Sequence, residues 1–106
     1  MTTFKHLQIS ELPELIKNGD VVIADIRDAN SFAAGHINNA VHLTNETIPD
    51  FIRETDIDLP VVVCCYHGNS SQQAAQYLIS QDFTDVYSLD GGFSAWQLQY
   101  PDRIAR

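Results

Sequence analysis

The chain has 106 residues, 44% of them hydrophobic, which suits one compact domain over residues 1–106 and leaves no room for a second. Fourteen acidic residues against six lysines and arginines give a net charge of −8. That balance argues against nucleic acid and against anionic membrane surfaces as partners.

The longest uninterrupted apolar run, Val61 to Tyr66, is far short of the ~20 residues a membrane helix needs. The opening Met1-Thr2-Thr3-Phe4-Lys5-His6 lacks the apolar core of a signal peptide. The two cysteines are adjacent, so a disulfide between them would be strained, and no Cys-x-x-Cys pair is present. These features lead us to expect a reduced, cytoplasmic protein without a membrane segment. The four histidines have no metal-site spacing.

In chain order, Phe4 to Ile9 is a first strand. Ser10 is placed to cap a helix whose stripe is Leu12, Leu15 and Ile16, stopped by Gly19. Val21 to Asp25 is a second, buried strand running into the polar turn Asp25-Ile26-Arg27-Asp28. A short helical turn around Ser31 to Ala34 ends at Gly35. Ala40 to Leu43 is a third strand. Thr44 or Asn45 is placed to cap a helix with stripe Ile48, Phe51 and Ile52, Pro49 being acceptable in its first turn. After Pro60 the run Val61-Val62-Val63-Cys64 reads as a strand buried on both faces. Ala74, Ala75, Leu78 and Ile79 then mark a helix to about Ser80. Val86 to Leu89 is the fifth strand, and Asp90-Gly91-Gly92 turns into a last helix carrying Phe93, Trp96 and Tyr100. Residues after Pro101 read as a loosely ordered tail.

Strands alternating with helices imply an α/β fold: a five-stranded, mostly parallel sheet with helices on both faces. Ligand sites in such folds lie beyond the carboxyl ends of the strands. The Asp25 turn and Cys65 both fall there. Cys65 opens a tight strand-to-helix loop, Tyr66-His67-Gly68-Asn69-Ser70-Ser71. Loop N–H groups and the helix N-terminus can converge to bind an anion, and a thiol placed there ionises more readily. Gly68 supplies the backbone freedom to turn N–H groups inward. Cys65 is thus a candidate nucleophile, although a buried cysteine at a strand end is also commonly inert.

Several motifs in order resemble a known family. These are Asp25-Ile26-Arg27-Asp28, then Phe32 and Gly35-His36-Ile37 with Ala40, then the Cys65 loop, then Asp90-Gly91-Gly92-Phe93-Ser94-Ala95-Trp96. Together they look like a single-domain rhodanese over nearly the whole chain. The resemblance implies a sulfurtransferase that carries sulfur as a persulfide on Cys65. Thiosulfate would be the donor, and cyanide or a thiol such as reduced thioredoxin the acceptor. No metal and no organic cofactor is implied.

Other residues carry two readings. Strand alternation sends Cys64 to the opposite face from Cys65, as a small buried hydrophobe. His67 either tunes Cys65 or points to solvent. His36 reads as structural. Asp25, Arg27 and Asp28 either steer substrate or hold the turn by an ion pair and hydrogen bonds. Ser70 and Ser71 offer hydroxyls to the persulfide, to the helix cap, or to both. Trp96, Phe93 and Tyr100 read as core. Two rival functions are a cysteine phosphatase and a non-catalytic rhodanese-like binding module. A phosphatase of this fold carries arginine where this chain has Ser71, and histidine where it has Cys64. Binding modules of this fold often lack the cysteine.

Overall fold

The computed structural model describes residues 3–106; Met1 and Thr2 of the amino-terminal stretch, and of the domain span, lie outside the described residues. Among the described residues there are seven strands: β1 (Lys5–Leu7), β2 (Val22–Asp25), β3 (His36–Ile37), β4 (Val41–His42), β5 (Val61–Cys64), β6 (Val86–Leu89) and β7 (Ile104–Ala105). Five α-helices connect them: α1 (Leu12–Asn18), α2 (Ala29–Ala34), α3 (Ile48–Glu54), α4 (Ser70–Ser80) and α5 (Gly92–Gln99).

The main sheet has the order β1-β6-β5-β2-β4, and every pairing in it is parallel. β5 is central, between β2 and β6. Val61, Val62, Val63 and Cys64 are all fully buried, as an apolar β-branched run demands. Burial of each valine contributes about 1.5–3 kcal/mol. The alternation of β5 feeds two cores. Val62 and Cys64 join Leu12, Ile37, Phe93 and Trp96 on one face. Val61 and Val63 join Ala75, Leu78, Phe83 and Leu43 on the other, with Ile48 and Phe51 packed against them. Helices α1 and α5 thus cover one face, α3 and α4 the other.

Four local expectations change. Neither Thr44 nor Asn45 holds the N-cap position of α3, which is Thr47. Ser10 does not cap α1. The turn starts earlier, in a 3-10 segment Ile9–Glu11, where the Gln8 N–H donates to Glu11 Oε1 at 2.8 Å. The hydroxyls of Ser70 and Ser71 do not cap α4 either, whose N-cap position is Asn69. The tail after Pro101 is ordered. Pro101–Arg103 forms a 3-10 turn, and β7 pairs antiparallel with β3, Ile37 opposite Ile104. The Asn38 N–H donates to the Arg103 carbonyl at 3.1 Å, and half-buried Ile104 packs on the core shared by Phe93 and Trp96. Apolar burial and the ladder together outweigh the entropy of ordering a few terminal residues. Among the described residues, no helix is long and apolar enough to cross a membrane.

Candidate active site

β5 ends at Cys64, and Cys65 is the first residue beyond it. The Cys64 side chain packs in the core covered by α1 and α5 and is fully buried. Burial, then the negative charge of Asp25, pushes its thiol far above the usual cysteine range. Burial thus favours the neutral thiol at Cys64.

The Cys65 sulfur meets a cluster of donors. Gly68 N–H reaches it at 3.2 Å and Ser71 N–H at 3.3 Å. The Ser71 hydroxyl oxygen lies 3.2 Å from Sγ. Ser71 is the second residue of α4, so its N–H is one of the unpaired donors of the helix N-terminus. Behind it, Ser71 Oγ is 2.8 Å from Ser88 Oγ on β6, and both serines are fully buried.

The bowl keeps its shape because its carbonyls are tied down from outside. The N–H of Phe93, in the first turn of α5, donates to the Cys65 carbonyl at 2.8 Å, and that of Ser94 to the Tyr66 carbonyl at 3.0 Å. Gln72 Nε2 donates to the Gly68 carbonyl at 2.9 Å. A trans peptide with its carbonyl held outward turns its N–H the other way. The His67 N–H, in the same peptide as the Tyr66 carbonyl, accordingly supports the Cys65 sulfur. Gly68 sits at φ +92°, and a Cβ on it would lie 3.0 Å from Gly91 N and 3.1 Å from Leu89 O. Both facts require glycine there.

Burial of the Cys65 sulfur is the largest single influence on its ionisation and opposes it. The Ser71 hydroxyl and the N–H groups of Ser71, Gly68 and His67 together outweigh that effect. The thiol ionises below the usual cysteine value.

The β2–α2 turn forms the neighbouring wall. Asp25 and Arg27 are a buried ion pair: Arg27 Nη2 donates to Asp25 Oδ2 at 2.7 Å and Nε to both carboxylate oxygens at 3.0 Å. Arg27 also donates to the Gly35 carbonyl at 2.6 Å and stacks 4.0 Å from the Phe93 ring. Removing one partner of such a pair costs roughly 3–5 kcal/mol, because the other charge is left buried and unpaired. Of the two readings open for these residues, the ion pair describes the geometry. Tyr66 leans from the loop to this wall, where its hydroxyl bonds Asp28 and Ser31. That contact, ahead of the Ser31 hydroxyl and N–H, holds the Asp28 carboxyl down at about 2. His36 stacks on Phe32 and bonds its carbonyl at 2.7 Å, a structural placement.

The structure therefore brings Cys65, Gly68 and Ser71 together. It directs Tyr66 to Asp28, and it leaves His67, Asn69 and Ser70 exposed around the rim. Ser70 also lines an open groove of about 610 Å3 with Ile26, Leu43, Ile48 and Tyr77. Ser88 was not marked by sequence, because a serine in a short strand carries no signal until its partner is known.

The chain that folds this bowl has relatives among known proteins. The family model described as a rhodanese-like domain matches residues 8–99. The chain belongs to the rhodanese-like family. The chain is 52% identical over 106 residues to a protein of Pseudomonas putida named thiosulfate sulfurtransferase GlpE, covering 100% of this chain and 96% of that one. Among solved structures, a rhodanese-like domain protein from Staphylococcus aureus superposes with a TM-score of 0.77 at 29% identity, covering 88% of this chain and 91% of that one. A yeast protein tyrosine phosphatase of the rhodanese family, Ygr203w, superposes with a TM-score of 0.77 at 23% identity, covering 99% of this chain and 94% of that one. That last likeness speaks to the rhodanese fold alone.

Proposed function

We propose that the chain acts as a single-domain thiosulfate sulfurtransferase over residues 1–106, with Cys65 as the sulfur-carrying nucleophile. The observation that carries this reading is the set of backbone donors converging on Cys65 Sγ. A thiolate fixed by N–H groups is held ready to attack, and the same donors stabilise negative charge as it develops.

The Cys65 thiolate attacks the outer sulfur of thiosulfate. A bond forms between Sγ and that sulfur, the S–S bond of thiosulfate breaks, and sulfite leaves with the bonding electron pair. Cys65 is left as a persulfide anion. In the second half-reaction an acceptor attacks the terminal sulfur and Cys65 leaves as thiolate. Cyanide takes the sulfur as thiocyanate; a thiol such as that of reduced thioredoxin takes it as its own persulfide. Each step balances without an external oxidant, and no cofactor takes part. Free thiols at Cys64 and Cys65 suit the cytoplasm.

The phosphatase reading is disfavoured by the loop itself. Phosphoryl transfer to a cysteine calls for a cation to clamp the equatorial oxygens. Residues Tyr66 to Ser71 contain no lysine or arginine, and Arg27 is occupied by Asp25. The non-catalytic reading has no use for an activated thiol. Thiocyanate release from thiosulfate and cyanide, assayed beside hydrolysis of a phosphate ester, tests the three readings. Thiocyanate alone supports ours, and phosphate alone or neither product overturns it.

A further inference from the structure

Two fully buried hydroxyls stand in line from the Cys65 sulfur into the core. Ser71 Oγ is 3.2 Å from Sγ, and Ser88 Oγ is 2.8 Å from Ser71 Oγ. Ser88 lies on β6, with Val63 of β5 on one side and His6 of β1 on the other. A buried hydroxyl costs free energy unless it is bonded, so an apolar residue would suit this strand position better on packing grounds alone. Among the described residues the Ser88 hydroxyl bonds Ser71 alone.

The two serines share one hydrogen bond, which has two directions. With Cys65 a neutral thiol, S–H donates to Ser71, which leaves the Ser71 hydroxyl proton free to go to Ser88. With Cys65 ionised, its proton has gone to solvent and the sulfur needs donors. The Ser71 hydroxyl can serve only if its own proton is released from Ser88. We propose that Ser88 is a positioning residue for the Cys65 thiolate: it donates to Ser71 Oγ and so frees the Ser71 hydroxyl to donate to the sulfur. Hydrogen bonds in such a chain polarise one another, which strengthens the one that ends on the charge. The inference rests on Cys65 being the reactive thiol of the proposed sulfurtransferase and deepens that reading.

Other titratable groups surround the relay but bond elsewhere. On β1, His6 bonds Asp90 and Lys5 bonds Asp85. On β6 itself, Tyr87 lies beneath Lys5. Cys64 on β5 is turned into the opposite core. The β2–α2 turn holds the closed Asp25–Arg27 pair, and Asp28 bonds Tyr66. His67 and Tyr77 are exposed, and α5 carries no charged side chain.

The test is the pH profile of iodoacetamide alkylation at Cys65, read by mass in wild type, Ser88→Ala, Ser71→Ala and the double variant. Ser88→Ala should move the midpoint up by about half a unit to one unit and leave the high-pH plateau rate in place. In the Ser71→Ala background, Ser88→Ala should add nothing, because Ser88 acts only through Ser71. Ser88→Cys keeps the shape with a somewhat larger atom, exchanges a strong donor for a weak one, and should move the midpoint read on the Cys65 peptide the same way if Ser88→Ala does not fold. An unchanged midpoint overturns the proposal, as does an equal shift with and without Ser71. Alkylation needs no thiosulfate. A wild type that takes up no sulfur would sink the sulfurtransferase reading while leaving this profile readable.

Discussion

Gly92 lies so close to Cys65 that a Cβ built on it would stand 2.5 Å from the Cys65 carbonyl oxygen. The contact lets α5 bring its first N–H groups onto the loop carbonyls. Gly92 also sits at φ +57°. That conformation costs a Cβ-bearing residue about 1–2 kcal/mol, and the overlap adds roughly 1–3 more. We expect Gly92→Ala to lower the melting temperature by about 10 °C or more and to slow Cys65 alkylation, since the loop must shift. A variant with wild-type melting and labelling would show that α5 does not set the bowl.

The two cysteines should separate cleanly. Cys65→Ser should abolish sulfur transfer with little effect on stability, because its position is a loop end. Cys64→Ser places a hydroxyl in an apolar core, at a cost of about 1–3 kcal/mol, and should keep its transfer rate. Rates and melting curves on both proteins check this. A folded Cys64→Ser protein without activity would contradict the assignment.

Much of this arrangement was legible in the residues. The valine run of β5, the loop glycine and the apolar stripe of α4 specify strand, turn and helix by local physics. The β3–β7 ribbon was not legible, because two-residue strands are too short for any periodicity and their pairing joins residues far apart in sequence. Ser71 was legible as a loop hydroxyl, but its choice of sulfur over helix cap depends on Cys65 and Ser88, which only the fold brings together.

Tyr66 and Asp28 link the loop to acid stability. The Asp28 carboxyl sits at about 2 in the folded protein, below the ~3.9 of an unfolded chain. Because the folded value is the lower one, the contribution is complete above the unfolded value and is lost as pH falls toward about 2. Tyr66→Phe should raise the Asp28 titration midpoint seen by carboxylate NMR. An unmoved midpoint would show that the Tyr66 hydroxyl is not its main support.

Thiosulfate, a dianion, finds no loop cation, and Arg27 is only 6% exposed and paired. The net charge of −8 adds a screened repulsion. We therefore expect a KM for thiosulfate above the ~1 mM upper end of common values, with appreciable turnover from transition-state donors. Ser70→Arg, at the exposed rim, should lower KM by roughly tenfold, and a hundredfold at best. Steady-state kinetics on both proteins decide it; a sub-millimolar wild-type KM would mean that another cation already reaches the donor.

The most direct test of the central claim is intact-mass measurement before and after incubation with thiosulfate, followed by peptide mapping. The account predicts a gain of one sulfur atom, located on Cys65, reversed by cyanide and absent from Cys65→Ser. No gain in the wild type, or a gain that persists in Cys65→Ser, would contradict it.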